Sequence, residues 1–152
     1  ITDPAVRALN GSVADKVVLF NRLQARWASE CPNDLAILML TSIESASQPT
    51  TVARRVTAIY SKIEALLSDI LEEGKRTGEI ASAASVEDAV LGIIAIHDGN
   101  MLLWYRSGCH PVMGRKLTLA ARHLSLQQVH GISSDREPVP KTDFAAKNPH
   151  LG

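Results

Sequence analysis

Apolar residues in this chain recur every third or fourth position through five long stretches, and no segment alternates apolar with polar long enough to form a strand. That property restricts the fold to helices packed on helices, an all-α antiparallel bundle of about five. The first stretch runs from about Ser12 to Glu30, with Ser12 as N-cap, Asp15 in the first turn, and Val13, Val17, Phe20, Leu23 and Trp27 on one face. Pro32 blocks its continuation. The second, from Asn33 or Asp34 to about Ser47, is apolar at Leu35, Ile37, Leu38, Met39, Leu40 and Ile43, so burial on most sides is expected.

A third helix is expected from near Pro49 and Thr50 to about Lys75. It sets Val52, Val56, Ile59, Ile63, Leu66 and Ile70 against Arg54, Arg55, Lys62, Asp69 and Glu72, and Gly74 and Gly78 are expected to end it. Ser85 caps the fourth, with Glu87 and Asp88 where the helix dipole favours acids; Gly108 and Pro111 stop it after Ser107. The fifth extends from Val112 or Met113 to His130. Residues 1–131 therefore read as one helical domain, and the polar, proline-bearing residues 132–152 as an extended tail.

Composition narrows the function. Sixteen basic and sixteen acidic residues cancel, and no basic stripe is visible, so these residues should bind duplex DNA poorly. No apolar run approaches the roughly 18 residues that a membrane span needs, and no signal-peptide pattern opens the chain, so no membrane partner is expected. Cys31 and Cys109 are isolated thiols that fit a reducing cytoplasm, although a single bridge between them stays open.

The fourth stretch is apolar on two faces. Val86, Val90, Ile93, His97, Met101 and Trp104 share one; Gly92, Ala95, Ile96, Gly99 and Leu103 share another. Glycine inside a helix costs about 0.5–1 kcal/mol relative to alanine, so Gly92 and Gly99 invite a close-packing explanation. A twin molecule is the expected cover, the chain's own fifth helix the alternative. On the fifth helix Leu117, Ala120, Ala121 and Leu124 look core-facing, while Leu119, His123, Leu126 and His130 form a second strip. A four-helix homodimer interface of Gly92, Ala95, Ile96, Gly99, Leu103, Leu119, His123 and Leu126 follows.

The segment from Ile63 to Ile80 ends a long helix with Leu67 and Leu71, then Gly74, three residues, and Gly78-Glu79-Ile80. Ser85-Val86-Glu87-Asp88-Ala89-Val90 and Ile96-His97-Asp98-Gly99-Asn100-Met101 follow. In order and spacing these resemble the ligand-binding and dimerisation domain of TetR-family transcriptional regulators, over about Ser12 to His130. The resemblance implies a homodimer that leaves operator DNA when a small molecule enters a pocket among the helices. No basic helix pair precedes Ser12, so contact with the operator is expected only through an N-terminal helix-turn-helix domain absent from this chain. A repressor role would follow from the same resemblance.

For the pocket, the inward-facing large residues are Phe20, Trp27, Met39, Tyr60, Ile63, Leu67, His97, Met101 and Trp104; each taken singly reads first as ordinary core, and the set together as a pocket. An apolar or aromatic effector is expected, with Asn100 and Tyr105 available for polar contacts or for the interface. A helical dimerisation module without a ligand is the other reading. A small helical enzyme is weaker: His97-Asp98 and Cys109-His110 tempt, and Glu64, Asp69, Glu72 and Glu73 offer carboxylates, but no phosphate loop or nucleophile elbow is present. Neither a cofactor nor a metal is expected, since His97, His110, His123 and His130 lack close pair spacing.

Overall fold

Six helices make up what the computed structural model describes, residues 3–45, 50–81 and 85–130: α1 (Asp3–Ala8), α2 (Val13–Glu30), α3 (Pro32–Ser45), α4 (Thr51–Thr77), α5 (Val86–Arg106) and α6 (Pro111–His130). No strand occurs among the described residues, as the periodicity requires. α1 is the element that periodicity did not reveal, because six residues are too few to show a stripe. It is held by Val6, which is fully buried, and by Arg7, whose guanidinium lies 2.7 Å from the Asp69 carboxylate of α4. The expected tail at 132–152, like Ser47 and Pro49, lies outside the described residues.

Local chemistry sets the helix starts. The Ser12 hydroxyl accepts from the Asp15 N–H while the Asp15 carboxylate accepts from the Ser12 N–H, a reciprocal cap; donation from the Ser12 hydroxyl and then from its N–H holds the Asp15 carboxyl below its ordinary value. Thr50 and Ser85 cap α4 and α5 by accepting from the Ala53 and Asp88 N–H groups. Pro32 ends α2 and also opens α3, since its fixed φ suits a first helical position where an N–H would be unpaired anyway.

The main core joins Val6, Val13, Val17 and Phe20 to Leu66, Leu67, Ile70 and Leu71, with Ala89, Val90 and Ile93 from α5 and Val129 from α6. A smaller cluster of Ala28, Leu35 and Met101 gathers Trp27, Met39 and Trp104 around it. α6 lies in the angle between α2 and α5 and packs on both.

The end of α4 explains the Gly-Glu motif physically. Gly74 sits inside the helix: a Cβ there would fall 2.6 Å from Val13 Cγ2 and 2.9 Å from Ile80 Cδ1. It is a close-packing residue, and the expectation that it terminates the helix is corrected. Gly78 does the terminating, at φ 82°. Glu79 then reaches back to accept from the Val13 N–H at 2.8 Å, a second cap on α2, and Ile80 folds down into the core.

Three burial expectations fail. α3 is not covered on most sides: Ile37, Leu40 and Ile43 are 63%, 60% and 66% exposed, because α3 lies at the edge of the bundle and, among the described residues, buries only Leu35 fully. The α4 stripe is covered only along its C-terminal half, leaving Val52 and Ile59 exposed. On α6, Ala121 is buried, but Ala120 and Leu124 face solvent.

Candidate functional site

α2, α5 and α6 converge near Phe20 and Val129 and leave a cleft of about 780 Å³ farther along, open on one side. Asn21, Ala25, Ala28 and Ser29 of α2 form one wall; His97, Asn100, Met101 and Trp104 of α5 form the second. The α6 wall runs from Pro111 through Gly114, Arg115, Leu117, Thr118 and Leu119 to Ala121. Small residues make the space: a Cβ at Gly114 would meet the Trp104 indole at 2.9 Å, so the glycine lets that ring lie close against α6. Cys109, in the left-handed region at φ 57°, turns the chain from α5 to α6 at the cleft's end.

His97 and Asn21 are the buried polar groups of this lining. Burial pushes the His97 imidazole down to about 4, so the ring is neutral at physiological pH and offers one donor and one acceptor nitrogen. Its ring packs on Phe20, with ring centroids 5.9 Å apart, and it has no hydrogen-bond partner among the described residues. Next along the chain, Asp98 points away from the cleft toward the Tyr60 hydroxyl, which also lies near Ser42. Burial and the Asp98 charge push the Tyr60 phenol up to about 12, and burial raises the Asp98 carboxyl against the pull of that hydroxyl. The consecutive pair thus serves two different surfaces, which separates His97 from the carboxylate it would need in a catalytic dyad.

Of the nine residues read as pocket, His97, Met101 and Trp104 line the cleft. Phe20 stands one layer behind His97, and Leu67 and Ile63 belong to the main core and its edge. Trp27 and Met39 pack in the smaller cluster, and Tyr60 faces Asp98. The cleft therefore lies on the α6 side of α5, and the expectation of α3 and α4 as walls does not match it. Asn21, Ala25, Arg115, Leu117 and Thr118 were not anticipated. One sequence signal was available: Asn21 and Gln24 interrupt the apolar face of α2 and are both buried.

The expected interface residues separate as well. Gly92 receives the Gln128 side chain of its own α6, where a Cβ would fall 2.6 Å from Oε1, so its close approach is within the chain and the two-molecule reason for it is corrected. Ala95, Gly99 and Leu103 form an open row on α5, with nothing within 4 Å of a Cβ at Gly99, and Ile96 is half-buried. On α6 Leu119 borders the cleft, Leu126 is half-buried, and His123 is exposed with Gln127 Nε2 at 3.2 Å from its Nε2. Leu119 and His123 of the expected strip thus lie open, Leu119 at 65% exposure, and a second open apolar row of Met113, Ala120 and Leu124 runs about a third of a turn from them.

No family model and no curated protein matches this chain. Among solved structures, the crystal structure of the MbdR regulator from Azoarcus sp. CIB superposes with a TM-score of 0.71, at 23% identity, over 88% of this chain and 68% of that one. The chain has the helical fold of that transcriptional regulator. Among the described residues no helix is long and apolar enough to cross a membrane, and no three metal-ligating side chains gather.

Proposed function

We propose that this chain is the effector-sensing and dimerising domain of a TetR-type transcriptional regulator, a repressor that releases its operator when a small, largely apolar molecule occupies the α2/α5/α6 cleft. The observation that carries this reading is the cleft itself. It has room for a drug-sized molecule, is bordered by Met101, Trp104 and Leu117, and holds an unpartnered imidazole at its inner wall, on a regulator's scaffold. The imidazole lines an open cleft, so its free donor and acceptor nitrogens can hydrogen-bond a ligand seated there.

Two copies meet, in this reading, along Ala95, Gly99 and Leu103 of α5 and Met113, Ala120 and Leu124 of α6, giving a four-helix contact about a twofold axis. Operator DNA is reached only through a separate DNA-binding domain. Occupying the cleft would respace α2 against α5 and α6, and the ligand's differential affinity for the two spacings limits how far operator affinity changes. A thermal-shift and calorimetric screen of apolar, aromatic and acyl compounds tests this. Saturable binding that Ala25→Phe abolishes supports the reading; binding that ignores a filled cleft, or no binding at all, contradicts it.

A further inference from the structure

The cleft is electrostatically one-sided. Among the described residues its lining includes no aspartate or glutamate, and the one charged side chain there is Arg115, at the rim on the first turns of α6. No carboxylate pairs with Arg115 among the described residues; the ion pairs at that end of the molecule tie Arg26 to Glu30 instead. α6 as a whole carries Arg115, Lys116 and Arg122 with no acidic residue along its length, and no acid in its first turn offsets the positive end of its dipole. The deep end, at Met101, Trp104 and neutral His97, is apolar with one hydrogen-bonding edge.

We propose that the cleft takes an amphipathic monoanion, an apolar or aromatic body bearing one acid group, with its body against Met101 and Trp104 and its charge beside Arg115. This deepens the sensor reading and rests on the cleft being the ligand site. Arg115 is then the residue that selects acids over their neutral counterparts, because a neutral ligand of equal shape leaves the guanidinium without an anion. Its planar fork also suits a carboxylate.

Two fluorescent probes of matched ring system test it: anilinonaphthalene sulfonate, an anion, and phenylnaphthylamine, its neutral counterpart. At low ionic strength the anion is expected to bind about fivefold more tightly, the upper range for a solvent-accessible ion pair, with the preference fading as salt is added. Arg115→Gln should remove the preference while sparing the neutral probe, and Arg115→Lys should keep most of it; Arg115 is exposed, so both variants should fold. Equal binding of the two probes, untouched by Arg115→Gln yet blocked by Ala25→Phe or by Thr118→Phe on the facing wall, overturns the charge assignment and leaves the sensor reading standing. Binding of both probes that neither cleft-filling variant reduces overturns the two together.

Discussion

Gly74 and His97 show how much of this molecule rests on single side chains. A methyl group at position 74 has no room between Val13 and Ile80, and both of those neighbours are themselves buried. Gly74→Ala should therefore cost about 1–3 kcal/mol through overpacking, despite alanine's better helix propensity, read as a lower midpoint in urea denaturation. His97 makes stability depend on pH. Its folded value of about 4 lies below the ordinary 6.5, so its contribution is complete above pH 6.5 and is lost as pH falls toward 4. The loss is on the order of 3 kcal/mol for a group this buried. Urea midpoints measured across that range should fall steeply for the native chain and much less for His97→Leu. The raised carboxyl of Asp98 acts in the opposite sense, its contribution being lost as pH rises, so an Asp98→Asn variant should steepen the acid-side fall.

Among the elements, the end of α4 carries the plainest structural logic. Gly78 adopts φ 82°, and a Cβ placed there would meet nothing within 4 Å, so any penalty for replacing it is conformational and not steric. Gly78→Ala should cost about 1 kcal/mol, and Gly78→Asn less, since asparagine enters the left-handed region more readily; thermal melts of both distinguish the two causes. The long helices were legible in the sequence because caps such as Ser12 and Ser85 and stops such as Gly108 act on their immediate neighbours. α1 was not, because its place depends on Val6 joining a core built by residues distant in sequence, Leu66 and Ile70 among them. The candidate site was legible only on α5. Which face of α6 turns inward depends on how α6 settles against α2 and α5, and both of its faces carry leucine, so composition did not separate Leu117 from Leu119 or Leu124. Small residues that create space, Ala25 and Gly114, leave no apolar signal at all.

For the molecule as a whole, apolar side chains left in the open set the next expectation. Leu103 is 53% exposed on the same side of α5 as Ala95 and Gly99, beside an α6 row containing Leu124. Leu103→Glu should convert a dimer to monomer in sedimentation equilibrium while the far-ultraviolet circular dichroism is unchanged; a native chain that sediments as a monomer at high concentration contradicts the twofold contact. The cleft has a more direct test, because the three methionines occupy three different surfaces: Met101 lines the cleft, Met39 packs in the smaller cluster and Met113 lies on the open face of α6. With isotopically labelled methionine methyls, titration of neutral phenylnaphthylamine is expected to move the Met101 resonance saturably and to leave Met113 in place. Saturable binding that shifts Met113 and leaves Met101 untouched would place the ligand on the open helical face and contradict the cleft as the sensing site.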